Sequence, residues 1–282
     1  MKSPKLILII MALMSLSILA AKGWDIDSDI LVNLTQSQFS DNWAGSELSN
    51  ITWTATSNTV AQKQVKEWLN NKNSLKLAFG QTHMQKRDAA GNLEWDKPQK
   101  STDQIAYESL LQFTLKSFVD PYVSLRMDSQ FLDQQTGQDT YIVNPIVFTE
   151  SAGIMRSILN TDKSKLNVRV GGAVRETWNR RNDKLPIDGG VEGIVEYKQI
   201  ISAMNASYNS KLTAYQALFK SDKVEGFDNW KALDVKWENM LSFKLWKLLS
   251  MNLNLDLIYE KEQSPDIQWR EVLGLGFSYV LF

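Results

Sequence analysis

Large apolar residues recur at every second position through most of the chain. In the final stretch, "VLGLGFSYVLF", Leu273, Leu275, Phe277, Tyr279 and Leu281 alternate with Gly274, Gly276, Ser278 and Val280. Before it, Leu249, Met251, Leu253, Leu255 and Leu257 alternate with Ser250, Asn252, Asn254 and Asp256. Leu166, Val168, Val170 and Val174 oppose Asn167, Arg169 and Arg175, and Val123, Leu125 and Met127 oppose Ser124, Arg126 and Asp128. Successive strand residues point to opposite faces, so this period of two reads as strands with one apolar face. The rhythm predicts twelve strands, at about 26–38, 49–62, 73–85, 103–117, 121–133, 141–159, 165–178, 189–199, 203–219, 229–246, 249–261 and 266–281. In 141–159, Pro145 interrupts the pattern and the parity switches, so it reads as one strand with a bulge or bend.

The connections carry a second rhythm. Those after the odd-numbered strands are mostly long and polar, as in "SDNWAGSELSN" and "NRRNDKLPIDG", whereas "SFVD" and "NTDKS" are short. The segment "KQVKEWLNNKN" between the second and third strands either extends both strands or forms a longer turn. Alternating long and short ends with an even strand number is the layout of a closed antiparallel transmembrane β-barrel. Closure has a physical cause, because a sheet edge in lipid leaves backbone groups unpaired. The last strand is therefore expected to pair with the first, with its apolar face in lipid. A soluble secreted β-protein is the alternative. Against it, predicted strands of about 11–17 residues exceed the usual 5–6. Trp53, Tyr107, Trp237, Tyr259, Trp269 and Tyr279 also fall near strand ends, as interfacial aromatic girdles do.

Composition narrows the picture. The 282 residues include no cysteine and one histidine, with a formal net charge of −1. There is no basic excess to suggest nucleic acid, and no thiol for a disulfide or a metal site. Lys2 and Lys5 precede an apolar run from Leu6 to Leu19 and then small residues, the layout of a secretory signal peptide. The expected organisation is a signal peptide over 1–23 and one barrel over 24–282.

At "FSDNWAGSELSNITWTATSN" and "WREVLGLGFSYVLF", and more loosely through "VKWENMLSFKL", the sequence resembles domain-of-unknown-function family 3078. These are outer-membrane proteins of Bacteroidota-type bacteria. The family's first-loop motif corresponds to Asn42, Trp43, Ala44 and Gly45, followed by Ser49 and Asn50. The resemblance implies an outer-membrane location and a barrel fold, and brings no activity. As partners it implies outer-membrane lipid and the barrel-assembly machinery, the latter engaged through the C-terminal strand.

The candidate chemistry lies on the polar faces. Lys76, Arg126, Arg169, Arg175, Lys236 and Arg270, with Glu108, Asp128, Glu192, Glu196, Glu238 and Asp256, are predicted to face the lumen. Lys116, Lys198, Lys211, Lys244, Asp234 and Glu260 extend the same column. One reading is a charged, solute-selecting pore; the other is cross-strand ion pairs that fill a narrow lumen, and the near balance of signs favours the second. His83 is the one candidate for acid–base catalysis, as in a phospholipase-like hydrolase, but no serine is marked as its nucleophile. Asp183, Asp188, Asp222 and Glu225 lack a recognised calcium-loop spacing. The expectation is a non-enzymatic barrel without cofactor or metal, either a narrow passive channel or a structural and interaction protein.

Overall fold

The computed structural model describes residues 23–39, 48–89, 91–134, 139–181, 185–222 and 228–280. The predicted leader and the Asn42–Trp43–Ala44–Gly45 motif lie outside them, apart from Gly23 at the leader's end. The strands are β1 (Asp25–Ser37), β2 (Asn50–Lys66), β3 (Leu69–Arg87), β4 (Leu93–Trp95), β5 (Gln99–Phe113), β6 (Asp120–Ser129), β7 (Leu132–Asp133) and β8 (Tyr141–Ile142). They continue as β9 (Ile146–Asn160), β10 (Ser164–Trp178), β11 (Ile187–Ile201), β12 (Ala206–Lys220), β13 (Leu233–Lys244), β14 (Leu249–Tyr259) and β15 (Gln268–Val280).

All of these except β4, β7 and β8 form one antiparallel ring in the order β1-β2-β3-β5-β6-β9-β10-β11-β12-β13-β14-β15. The ring closes where Asp29 to Asn33 pair with Val280 to Gly276. Twelve strands make the wall, as the alternation predicts. Every strand then has a neighbour on both sides, which is what a sheet in hydrocarbon requires.

The expected alternation of connections is also present. Glu67 and Trp68 alone turn β2 into β3, so "KQVKEWLNNKN" extends both strands. Residues 161–163, 202–205 and 245–248 make the other tight turns at that rim, and 114–119 is only slightly longer. The opposite rim carries the longer connections, including 88–98 with β4 and 130–145 with the β7–β8 hairpin.

Two boundaries differ from the sequence reading. The segment 141–159 is not one strand: Tyr141 and Ile142 pair with Asp133 and Leu132, and the wall strand begins only at Ile146. The chain bends at Pro145, whose ring has no N–H to give a ladder. Residues 229–231 form a 3-10 turn ahead of β13 rather than part of it.

The polarity of the wall is inverted relative to a soluble sheet. Outward residues such as Val32, Leu34, Val123, Val170, Leu273 and Leu275 are exposed, and Phe277 is 68% exposed. Inward Ser124, Thr149, Ser151, Ser250 and Asn252 are buried, Asn252 to 3% exposure. Trp68, Phe118 and Trp246 are exposed near the short-turn rim, and Trp178 and Trp269 toward the other. These are the two aromatic girdles of a bilayer-spanning wall. Low in the lumen, Leu110, Tyr122 and Met155 pack together. The Tyr122 hydroxyl lies where a side chain at Gly171 would begin, 2.7 Å from the position of a Cβ, so only glycine fits beneath it.

One part of the outer wall is covered. Leu77, Phe79 and Ile105 face outward by register yet are buried, because Phe131, Leu132 and Val143 of the β6–β9 connection pack on them. The Asp103 carboxylate accepts hydrogen bonds from the backbone N–H groups of Phe131 and Leu132 at 2.6 and 2.9 Å. Farther along, Arg181 Nε and Asn144 Nδ2 donate to the Asp133 carboxylate at 2.6 and 2.7 Å. Burial opposes ionisation of Asp133, but these two donors prevail and hold its carboxyl below the ordinary value. A depressed carboxyl adds stability at neutral pH that is lost as pH falls through its folded-state value. Hydrogen exchange at Leu132 and Ile142 should accordingly rise at strongly acidic pH, and Asp133→Asn should abolish that dependence.

The inverted wall gives a direct test. Leu273→Arg should destabilise the barrel by roughly 2–4 kcal/mol in refolding into lipid vesicles, with Leu273→Ile near neutral. Equal stability of the Arg variant and the parent would reverse the face assignment.

Candidate functional site: the charged lumen

The inward faces carry the charges that the alternation assigns to them. Lys76 Nζ lies 2.9 Å from Glu238 Oε1, joining β3 to β13, which stand nearly opposite in the ring. Lys72 Nζ reaches Glu196 Oε2 on β11 at 3.2 Å, and Lys198 Nζ on β11 reaches Asp27 Oδ2 on β1 at 3.2 Å. Arg169 on β10 bonds Glu108 on β5 at 2.5 Å, and Arg126 on β6 bonds Glu192 on β11 at 2.5 Å. Lys211 on β12 bridges Glu108 and Glu196 at 3.8 and 3.9 Å. Apart from Lys211 with its register neighbour Glu196, these pairs reach across the lumen rather than along the wall.

The other predicted residues complete the lattice. Arg126 Nε also lies 3.4 Å from Asp128, and Lys236 Nζ 3.3 Å from Glu238. Asp256 and Arg270 are register partners on β14 and β15, joined at 2.5 Å. Toward the long-loop rim, Arg175 binds Asp188 at 2.8 Å and Asp234 at 3.2 Å, with its guanidinium 3.8 Å over the Tyr215 ring. The Tyr215 hydroxyl donates to Asp188 at 2.6 Å. Each of the twelve predicted lumen charges is thus ion-paired.

Some placements differ. Lys116 stands in the 114–119 turn with a positive φ of 58° and faces no lumen. Lys244 ends β13 exposed at the short-turn rim, and Glu260 lies beyond β14. Lys72, Asp27 and Asp188 were not among the predicted lumen charges. Lys72 belongs to the strand extension, where continuing the even parity of Lys76 would have found it; Asp188 was read as a loop residue and lies in β11.

His83 is opposite Ile51 in register, on the outer face toward the long-loop rim, and makes no hydrogen bond to a described residue. Among the described residues no group of acidic or histidine side chains is arranged to hold a metal ion.

A closed ring with an apolar exterior and a lumen of paired charges defines a membrane-spanning β-barrel. Within it, residues 34–134, from the end of β1 to the segment after β7, match the family described as "Protein of unknown function (DUF3078)". No curated protein matches the sequence. Among solved structures, an outer membrane channel of Pseudomonas putida F1 is 10% identical, with 93% of this chain and 96% of that one covered and a TM-score of 0.43. OprB of Pseudomonas putida at low pH is 9% identical over 94% and 95% of the two chains, with a TM-score of 0.29. OmpT of Vibrio cholerae, an outer membrane protein, is 8% identical over 91% and 97%, with a TM-score of 0.32. These likenesses do not bear on what this chain does, and the barrel rests on its own strand register.

The Arg126–Glu192 pair tests the lattice. Glu192 is 1% exposed in its side chain, so Arg126→Met strands a buried carboxylate. Losing one partner of such a pair costs about 3–5 kcal/mol, whereas replacing both by neutral groups of similar volume is often near neutral. Arg126→Met should therefore lower refolding stability by that amount, and adding Glu192→Gln should recover most of it.

Proposed function

We propose that this chain is an outer-membrane β-barrel that catalyses no reaction and keeps its lumen closed to solutes at rest. It acts as a structural or interaction barrel, or at most as a very narrow channel. The observation that carries this reading is the meeting of opposite walls, Lys76 with Glu238 and Lys72 with Glu196, at hydrogen-bond distance. A hydrated ion would have to displace these pairs and leave each partner without its counter-charge, which is costly away from bulk water. The balance of signs also offers no net field to favour cations over anions.

The location is inferred from the exposed apolar belt and its aromatic rims. A soluble secreted protein would be left with that belt in water. A hydrolase built on His83 would need a nucleophile within reach of its ring, and no hydrogen bond joins His83 to a described residue.

Planar-bilayer recording tests the proposal. The purified chain should show no steady conductance, with at most brief, weakly selective openings. A sustained ohmic current in the parent protein would overturn the closed-lumen reading. Lipid hydrolysis by the parent that disappears in His83→Ala would overturn the non-enzymatic one.

A further inference from the structure

The lumen charges answer one another, but those of the short-turn rim do not. On β9, Arg156 follows the inward, buried Met155 and points outward beside its register partner Val168 on β10. Its guanidinium carbon lies 3.6 Å from the centre of the Phe118 ring in the 114–119 turn. Phe118 is 77% exposed and belongs to the girdle of that rim, so the cation sits at the level where headgroups meet the wall. Arg156 makes no ion pair with a described residue, whereas Arg126, Arg169, Arg175 and Arg270 in the lumen are all paired.

The charges around Arg156 mostly share its sign. Lys116 in the same turn and Lys163 in the neighbouring 161–163 turn are exposed and form no ion pair among the described residues, and Lys165 follows in β10. Asp162 is the one acid in the two turns. Asp120, at the start of β6, is engaged from within, accepting from the Leu115 backbone N–H at 3.1 Å and from Gln112 Nε2 at 2.8 Å. The arc is therefore positive. The pairing of base and girdle ring recurs one turn along, where Lys66 Nζ stands 5.3 Å from the centre of the Trp68 ring.

Stacking on Phe118 covers one face of the Arg156 guanidinium and leaves its N–H edge open, in a fork that matches two oxygens of a phosphate. From Arg156 toward the bilayer centre, Ile154 and Val170 lie side by side on β9 and β10, each 46% exposed. A ligand whose anionic end meets Arg156 thus has an apolar wall beside the rest of it. A free phosphate would use only the fork, whereas a phospholipid uses the fork and the wall.

We propose that this arc of the short-turn rim binds one anionic phospholipid, its phosphate held by Arg156 with Lys116 and an acyl chain laid along Ile154 and Val170. The leaflet concerned is the periplasmic one, because short turns face the periplasm in an outer-membrane barrel. The proposal rests on the membrane-barrel reading but not on whether the lumen conducts. The unpaired lysines add attraction for a net negative headgroup, which a zwitterionic one gains less from.

Native mass spectrometry in detergent, with equal amounts of phosphatidylglycerol and phosphatidylcholine of identical chains, tests it. Heat-modifiable gel migration first establishes that each variant is a folded barrel, which separates failure of the barrel from failure of the site. The parent should retain one phosphatidylglycerol in preference. Arg156→Gln should reduce that preference about tenfold, the equivalent of one charge-assisted hydrogen bond. Lys247→Gln, which removes a base from the same rim between β13 and β14, should leave it unchanged. Equal retention of the two lipids by the parent, or an unchanged preference in folded Arg156→Gln, would overturn the proposal. An equal loss in Lys247→Gln would do so too, because the rim would then act only through its overall charge. Displacement of the lipid by excess inorganic phosphate would assign the site to a soluble anion instead.

Discussion

Backbone amides in hydrocarbon have no water to turn to, and the molecule is organised around that constraint. Each wall strand must find partners on both edges, so the ring is complete only when β15 reaches β1. Once the ring is closed, pleating fixes everything else in pairs of opposites. A residue that faces lipid forces its neighbours to face the lumen, and a one-residue slip would exchange the two environments along the whole strand. The apolar belt and the charged interior are therefore one property of the sequence, expressed on two sides of one sheet.

The interior then poses its own problem. Lysine, arginine, aspartate and glutamate side chains enter a narrow space from opposing walls, where an isolated charge is poorly solvated. Long side chains solve this by reaching across, as Lys72 does to Glu196 and Lys198 to Asp27. The guanidinium groups of Arg126 and Arg169 are joined at short range to carboxylates three ring positions away, while Lys211 ties Glu108 to Glu196. Because partners share neighbours, the charges form a lattice rather than independent bridges, and the effect of removing one depends on which others remain. A buried salt bridge is weak evidence for stability in itself. Its clearer effect here is to hold the walls at a fixed separation.

Strand number, parity and the alternation of connections were legible in the sequence because each depends on local patterning. Lumen facing followed from parity alone, which is why Arg126, Glu192 and Asp256 could be assigned without any knowledge of their partners. The partners were not legible: nothing in the spacing of Lys76 and Glu238 says that β3 and β13 stand opposite each other. The β6–β9 connection was misread for a related reason. Phe131 and Leu132 look like a continuing strand, but their apolar side chains are satisfied by the outer faces of Leu77 and Phe79, a contact set by tertiary packing.

These facts distribute the possible work of the molecule. Where opposite walls are tied together, a solute crossing the lumen would have to part them. The rim connections and the outer wall are then the surfaces left to meet a partner.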